Sequence, residues 1–314
     1  MNEIYPNIKS IRDLSIATEI PIKKIAGMIF SSENHYRIFS LPKRNSDGVR
    51  VIHSPYPNLY KVQRFILEQI LRNVDGNNYC YSYKSGVSIK DNAMRHIGTK
   101  VFYKIDLENF FENIGFKKVI RVFRNCGYSD GVSYMLTKLC LCNNGIPQGA
   151  PTSPLLSNIV TSKLDKRLSG LSTKENLTYS RYADDLFFSG EYISTKCREL
   201  IKTIVEQEGL IVNNKKELLV IGYHKKKIVT GLSVTEKNIS LTRNYKRELR
   251  LNVYKYLKYN HKVNPYNVDF DPLYKEKLLG QLYFWKFIEE DNEIPNILIE
   301  KVRNKEIIYP DLEL

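Results

Sequence analysis

Long apolar segments are missing from this sequence. None of its runs reaches the roughly 20 apolar residues that a membrane-spanning helix needs. Residues 1–9 have no basic start followed by an apolar core, so we expect no secretory signal peptide. Internal repeats, low-complexity tracts and Pro/Gly/Ser-rich linkers are also missing. We therefore expect a cytoplasmic protein with no membrane partner, built from one large domain or from closely packed subdomains.

Cysteine is scarce, with five residues among 314. Cys140 and Cys142 are separated by one residue, and no second Cys/His pair lies nearby, which argues against a zinc site. An odd number of scattered cysteines in a cytoplasmic protein predicts reduced, buried thiols.

Negative charge is also in deficit. Lys and Arg number 48 against 34 Asp and Glu, which gives a formal net charge of +14. Such a surplus favours a polyanionic partner, because each neutralised phosphate releases condensed counterions. A surplus that only keeps the protein in solution is the alternative. The 22 tyrosines fit either stacking on bases or packing in a core.

The spacing of apolar residues predicts an α+β chain that begins and ends with helices. Residues 8–30 are predicted as helices, 36–39 and 49–52 as a hairpin with its turn at 45–48, and 59–74 as a helix. The predicted core positions of the first segment are Ile11, Leu14, Ile16, Ile20, Ile25 and Ile29.

The central part of the chain alternates strands and helices. A strand at 101–105 ends at Asp106, helices follow at 117–126 and 133–142, and one helix is predicted over 155–171. Residues 177–182 and 186–189 form a predicted hairpin with an acidic pair at its turn, followed by a helix at 195–208. Short strands at 218–221, 227–232 and 239–241 lead into a helical tail over 245–305.

Three carboxylates carry the chemical information. Asp184 and Asp185 are adjacent at a tight turn, where two charges ~4 Å apart repel by on the order of 4 kcal/mol. A polar turn is the alternative explanation for this pair. Asp106, at the end of another strand, adds a third hard oxygen ligand. Together they could hold two Mg²⁺ ions, one to activate an attacking hydroxyl and one to neutralise a leaving pyrophosphate.

Three segments in the same order resemble the motifs of one enzyme family. Asp106 with Phe110 and Phe111 resembles motif A of polymerases, and residues 182–185, Tyr-Ala-Asp-Asp, resemble motif C of reverse transcriptases. Between them, residues 145–154 read Gly-Ile-Pro-Gln-Gly-Ala-Pro-Thr-Ser-Pro and are similar to motif B of bacterial reverse transcriptases. The chain therefore resembles an RNA-directed DNA polymerase with Asp106, Asp184 and Asp185 as its catalytic and metal-binding residues.

The resemblance assigns further residues to the deoxynucleotide. Gln148 would hydrogen-bond near it, and Gly145 and Gly149 would allow the backbone close to it. Phe111 would exclude a ribose 2′-hydroxyl. The basic residues Arg37 and Arg50 of the predicted hairpin resemble those that contact the triphosphate.

Residues 209–216 resemble motif D, whose lysine would protonate the leaving pyrophosphate. We favour Lys216 over Lys215 for this role. The family usually has Thr at the next position, where this chain has Glu217, so both lysines remain open.

Two short signatures resemble retron reverse transcriptases. Residues 92–96 read Asn-Ala-Met-Arg-His and fit the Asn-Ala-x-x-His signature, and residues 229–231 fit Val-Thr-Gly. We assign Asn92 and His96 to RNA binding on this basis. The resemblance implies a structured non-coding RNA as partner, priming from an RNA 2′-hydroxyl, a branched RNA–DNA product, Mg²⁺ with Mn²⁺ as a substitute, and antiphage defence with a separate effector protein.

The same resemblance implies a right-hand polymerase fold. It places fingers at residues 1–100, a palm at 101–235 and a helical thumb at 236–314. The predicted helix over 245–259 has a basic face, and we assign its Arg247, Arg250 and Lys258 to RNA binding. An ordinary solvated helix face is the alternative. Two other functions stay open: a defence-associated bacterial reverse transcriptase that makes unbranched DNA, and a non-catalytic RNA-binding scaffold.

Overall fold

The computed structural model describes residues 5–42, 48–74, 78–263 and 268–305. The chain forms two compact units, each of which is discontinuous in sequence. Unit 1 comprises Met1–Val87 and Val101–Leu219, and unit 2 comprises Ser88–Lys100 and Val220–Leu314. This division differs from the predicted fingers, palm and thumb, which remain a prediction. No helix in the described part of the chain combines the length and hydropathy needed to cross a membrane.

The elements are numbered in chain order. The helices are α1 Ile11–Thr18, α2 Ile22–Phe30, α3 Pro57–Gln69, α4 Ile89–Met94, α5 Phe116–Asn125, α6 Asp130–Cys140, α7 Ser153–Val160, α8 Ser162–Lys174, α9 Thr195–Gln207, α10 Arg243–Tyr259, α11 Tyr274–Ile288 and α12 Glu293–Arg303. The strands are β1 Tyr36–Pro42, β2 Val49–Pro55, β3 Val101–Glu108, β4 Thr178–Tyr182, β5 Asp185–Gly190, β6 Ile211–Val212, β7 Leu218–Ile221, β8 Lys227–Val229, β9 Leu232–Val234 and β10 Ile239–Leu241.

The first helix is short because it has strong signals at both ends. Ser10 and Asp13 form a capping box, and Glu19 ends the helix with a left-handed φ of 54°. Leu14 and Thr18, four residues apart, are buried. Ile16 lies about 200° around the helix from Leu14 and is 70% exposed, so its predicted core position is wrong.

The predicted hairpin is confirmed as the antiparallel pair β1–β2, with Tyr36 opposite Pro55 and Pro42 opposite Val49. Its predicted turn, residues 45–48, falls outside the described residues except for Gly48. Leu41 faces Arg50 across the pair. Because side chains alternate between faces, Arg37 and Arg50 lie on the same face of this ribbon.

The core of unit 1 contains a sheet in which β4, β5, β3 and β6 lie side by side, each antiparallel to its neighbour. Leu186, Phe187 and Phe188 are fully buried in the middle of β5. Tyr103 of β3 packs its ring 6.1 Å from that of Phe188. The predicted hairpin around the acidic pair is confirmed, and its central strand is apolar on both faces because both faces are covered.

The helix predicted over residues 155–171 is interrupted at Thr161, where α7 ends and α8 follows. Thr161 has φ −88° and ψ 4°, and its hydroxyl donates to the carbonyl of Ser157 at 2.7 Å. Such back-bonding by a β-branched residue bends a helix. The prediction of one uninterrupted helix is therefore wrong.

Unit 2 combines a short helix, a small sheet and a helical tail. The strands β8, β9 and β10 form an antiparallel sheet in the order β10-β9-β8, and α4 packs against all three. A capping box of Ser88 and Asp91 starts α4. The predicted helical tail is confirmed as α10, α11 and α12. Trp285 of α11 and Tyr256 of α10 are fully buried.

Candidate active site

The acidic turn lies between β4 and β5. Ala183 occupies it with a left-handed φ of 53°, and Asp185 starts β5 directly opposite Asp106 of β3. The Leu107 amide donates to the carbonyl of Asp184 at 2.9 Å, which ties the turn to β3. The structure therefore brings Asp106, Asp184 and Asp185 together, as the sequence predicts.

The electrostatics of this cluster show that its negative charges are crowded. Burial, followed by the charges of Asp185 and Asp106, raises the pKa of Asp184 to about 6. Burial also raises the pKa of Asp185, although the Lys104 ammonium, 2.8 Å from its Oδ1, partly offsets the rise. Lys216 Nζ donates to both carboxylate oxygens of Asp106, at 2.9 and 3.0 Å. Two of the three carboxylates, those of Asp185 and Asp106, are thus each paired with a lysine ammonium group.

The donor chemistry fits a hard divalent cation. The charges of Asp106 and Asp185 act on Asp184, and the raised pKa of Asp184 reflects its burial and this repulsion, which a cation would relieve. In the described residues, however, no three acidic, cysteine or histidine side chains converge as a finished metal-binding group. Asp185 and Asp106 form salt bridges with Lys104 and Lys216, respectively. A metal held here would compete with these ammonium groups for the carboxylate oxygens.

Lys216 reaches the cluster through an anchored turn. The Asn213 amide donates to the carbonyl of Asp106 at 2.9 Å, and the Asn213 side chain caps the 3₁₀ turn Asn214–Lys216. Glu217 accepts from the Tyr103 hydroxyl at 2.7 Å and lies 2.8 Å from the Lys202 ammonium. The departure from the family pattern at Glu217 therefore fixes the turn to β3 and α9. Both lysines are exposed, and it is Lys216 whose ammonium contacts Asp106.

The motif B loop is attached to the β1–β2 hairpin. The His53 amide donates to the carbonyl of Gln148 at 2.7 Å, and the Gln148 amide lies 3.4 Å from Glu112 Oε1. Gly149 has a φ of +114°, and a Cβ there would meet the His53 carbonyl oxygen at 2.9 Å. A Cβ on Gly145 would meet the Glu112 carbonyl oxygen at 2.6 Å. The close approach to Gly145 and Gly149, which the resemblance predicts for a nucleotide, is made in this structure by protein backbone.

The two hairpin arginines are exposed and lie at different distances from the tip of the ribbon. Arg37 faces Ser54 and Arg50 faces Leu41, so they are separated by about 13 Å along the strands. The charges of Arg50 and Asp184 both act on the pKa of Tyr83, which burial raises. Tyr83 therefore lies within electrostatic range of both Arg50 and Asp184, and no sequence pattern selects it.

Phe111 lies beside the core. Its ring packs edge-on against Phe110 at 5.4 Å, and Phe110 is buried whereas Phe111 is half-buried. Part of the Phe111 ring surface therefore remains exposed. This placement agrees with a selectivity role, which stays a prediction.

The candidate RNA contacts of unit 2 divide into buried and exposed groups. Asn92 and His96 are fully buried, and burial lowers the pKa of His96 to about 3. Direct contact of either side chain with RNA would require this segment to open, so their assignment stays a prediction. Arg247, Arg250 and Lys258 are exposed on α10. The Arg250 guanidinium lies 5.1 Å from the ring centre of Trp285, and Lys258 donates to the Tyr254 hydroxyl at 3.0 Å.

Comparison with known proteins identifies the class. Residues 41–250 match the family described as reverse transcriptase (RNA-dependent DNA polymerase). The retron Ec86 reverse transcriptase of Escherichia coli is 34% identical over 252 residues, which cover 79% of this chain and 78% of that protein. The retron Ec83 reverse transcriptase of the same species is 33% identical over 240 residues, covering 71% and 76%. The retron Mx65 reverse transcriptase of Myxococcus xanthus is 36% identical over 202 residues, covering 58% of this chain and 47% of that protein.

The chain therefore belongs to the reverse transcriptases, the RNA-directed DNA polymerases, and within them to the retron type. Its fold is the right-hand polymerase fold of that family, as the sequence predicts. Membership implies an RNA template as partner and dependence on a divalent metal.

Proposed function

We propose that this enzyme copies a dedicated structured non-coding RNA into DNA by two-metal nucleotidyl transfer. The observation that carries the proposal is the meeting of Asp106, Asp184 and Asp185 at the paired ends of β3 and β5. Held by these carboxylates, two Mg²⁺ ions, or Mn²⁺ in their place, would lower the pKa of the attacking hydroxyl and neutralise charge on the leaving pyrophosphate.

Lys216 is the proposed general acid for the pyrophosphate. Its ammonium already lies within 3.0 Å of Asp106, on a turn that Asn213 and Glu217 hold in place. With Asp106 holding a cation, the Lys216 ammonium would be free to donate a proton to the leaving pyrophosphate.

The deoxynucleotide would bind on the surface formed by the hairpin and the adjoining motif B loop, both of which belong to unit 1. Arg50, and beyond it Arg37, would contact the triphosphate, since a guanidinium binds phosphate oxygens bidentately. The bond between His53 and Gln148 supports this arrangement, because it links the hairpin directly to Gln148 and Gly149. Phe111 would contact the sugar and exclude a 2′-hydroxyl.

The retron-type relatives support a finer proposal about the reaction. Synthesis would start from a 2′-hydroxyl of the cognate RNA and give branched msDNA, the RNA–DNA hybrid of this family. The exposed Arg247, Arg250 and Lys258 of α10 would hold the RNA through its phosphates. With a separate effector protein, the product would serve in antiphage defence.

Primer extension on an RNA template with Mg²⁺ tests the catalytic proposal. Asp184→Asn and Asp185→Asn should each abolish DNA synthesis and leave RNA binding intact, because Asn keeps the shape and removes the charge. Asp130→Asn is the matched control, since its carboxylate is exposed and pairs with Arg124 on the neighbouring helix. Near-normal extension by either site variant at saturating Mg²⁺ would contradict the assignment and favour an RNA-binding scaffold.

The priming proposal is tested separately. The protein is purified from its host with its attached nucleic acid, which is sequenced and treated with an enzyme that cleaves 2′–5′ linkages. Release of DNA from RNA by this treatment supports branching. DNA that is unaffected, and carries no RNA, would identify a reverse transcriptase that makes unbranched DNA.

A further inference from the structure

The backbone of Ala183, the residue before the acidic pair, is hydrogen-bonded by side chains at both its N–H and its carbonyl group. Its N–H donates to Ser82 Oγ at 2.8 Å, and its carbonyl accepts from Arg181 Nη1 at 3.0 Å. Ala183 has a φ of 53°, a conformation that is unfavourable for a residue with a side chain. The two contacts therefore stabilise the turn in a geometry that the local sequence disfavours.

Arg181 is itself fixed by a buried ion pair. Its Nε lies 2.8 and 3.0 Å from the two oxygens of Asp165, and its Nη2 lies 2.7 Å from Oδ2. The Tyr179 hydroxyl donates to Asp165 Oδ1 at 2.5 Å, and the side chains of Arg181 and Asp165 are fully buried. Buried ion pairs contribute little net stability compared with apolar packing. Stability alone is therefore a weak explanation for the buried Arg181–Asp165 pair.

Ser82 is connected to the same pair. Its carbonyl accepts from Asn158 Nδ2 at 2.8 Å, and Asn158 Oδ1 lies 3.4 Å from Arg181 Nη1. The Tyr81 amide donates to the Arg181 carbonyl at 2.8 Å, so the segment before Ser82 lies along β4. Both contacts on Ala183 thus come from one hydrogen-bonded network.

We propose that Ser82 and Arg181 are positioning residues for the catalytic carboxylates. They hold the Ala183 peptide in its left-handed turn, and this turn directs Asp184 and Asp185 toward Asp106. The effect on catalysis rests on the function proposed above, whereas the effect on cation binding is independent of polymerisation.

Ser82→Ala tests the contact to the Ala183 N–H. The variant should lower kcat for nucleotide incorporation about tenfold, with KM for the deoxynucleotide unchanged, because one hydrogen bond to the turn is lost. It should also weaken binding of Mn²⁺, titrated alone and followed by electron paramagnetic resonance, by a similar factor. Ser172→Ala is the matched control: its hydroxyl is buried in α8 and has no hydrogen-bond partner among the described residues. It should leave both quantities at their wild-type values.

To test the contact from Arg181 to the Ala183 carbonyl, a variant must lose this contact and still fold. Arg181→Met alone would leave Asp165 buried without its counter-ion and destabilise the unit. The triple variant R181M/D165L/Y179F removes both charges and the hydroxyl that depends on them. It should fold, and it should lose Mn²⁺ affinity and kcat as Ser82→Ala does.

Wild-type kcat and Mn²⁺ affinity in Ser82→Ala, while Asp184→Asn loses both, would overturn the inference. Wild-type kcat and Mn²⁺ affinity in the folded triple variant would show that Arg181 does not position the carboxylates. A wild-type protein that incorporates no nucleotide would instead contradict the proposed function, and the Mn²⁺ titrations would still decide whether Ser82 and Arg181 position the carboxylates.

Discussion

Substitution of Gly149 in the motif B loop should destabilise the protein by an amount that follows from the structure. Gly149→Ala places a Cβ 2.9 Å from both the His53 carbonyl oxygen and the Cγ2 atom of Ile52. One of these neighbours is backbone and cannot rotate away. The φ of +114° is also disfavoured for alanine. The loop and β2 must therefore separate, which breaks the 2.7 Å bond between the His53 amide and the Gln148 carbonyl.

The two costs can be added. A sparsely populated backbone conformation costs about 1–3 kcal/mol, and the lost hydrogen bond about 0.5–1.5 kcal/mol. We expect a loss of roughly 2–4 kcal/mol in the free energy of unfolding of unit 1. For a unit of this size, each kcal/mol lowers Tm by about 2–4 °C, so Tm should fall by roughly 5–15 °C.

Thermal unfolding followed by circular dichroism measures this change. Gly170→Ala is the control, because Gly170 lies in the exposed part of α8 with nothing within 4 Å of an added Cβ. That substitution should raise stability by about 0.5–1 kcal/mol, since alanine loses less backbone entropy in a helix. A Tm for Gly149→Ala at or above that of the wild type would refute the reasoning.

Three further predictions concern selectivity, RNA binding and pH. Phe111→Ala should lower the ratio of dNTP to rNTP incorporation efficiency by about tenfold or more, and an unchanged ratio with retained activity would place the gate elsewhere. Replacing Arg247, Arg250 and Lys258 together with Ala should weaken RNA binding and reduce its salt slope by about two to three; wild-type values for both would exclude α10 as the RNA grip. Because burial lowers the pKa of His96 from 6.5 to about 3, the unfolded state binds the proton first, and stability should fall as the pH drops below 6.5. The loss at pH 5 is about 2 kcal/mol relative to neutral pH, and His96→Gln should flatten this dependence between pH 7 and pH 5 in urea unfolding, whereas equal slopes would contradict it.

The three carboxylates of the candidate site could be predicted because their signal is local. Asp184 and Asp185 are adjacent, and the apolar residues after them identify a buried strand. Asp106 could be placed because it ends a run of β-forming residues, and antiparallel pairing with the acidic hairpin then brings the three together. Motif order added the rest of this inference.

The network behind the turn could not be predicted in the same way. Arg181 and Asp165 are 16 residues apart and lie on different elements, and charged residues are ordinarily exposed. Nothing in the sequence near Ser82 indicates that its hydroxyl meets Ala183, 101 residues later. Such contacts depend on how the elements pack, which apolar periodicity does not encode.

Local geometry also explains two wrong predictions, the uninterrupted helix over residues 155–171 and the core position of Ile16. The interruption at Thr161 arises from a hydroxyl that bonds its own helix, and apolar spacing alone is insensitive to it. Ile16 was misplaced because the capped helix is only 8 residues long, so one apolar side chain can remain outside the stripe that Leu14 and Thr18 define.

The discontinuity of unit 2 has a consequence for synthesis on the ribosome. Residues 88–100 belong to a unit whose remaining residues begin at 220. At about 5–20 residues per second, the ribosome takes roughly 6–24 s to reach the rest of that unit. During this interval, Asn92, Ala93 and His96, which the finished unit buries completely, have no strands of β8–β10 to cover them. Nascent chains that stop before residue 220 therefore expose this segment permanently, and chaperones and proteases can recognise them by it.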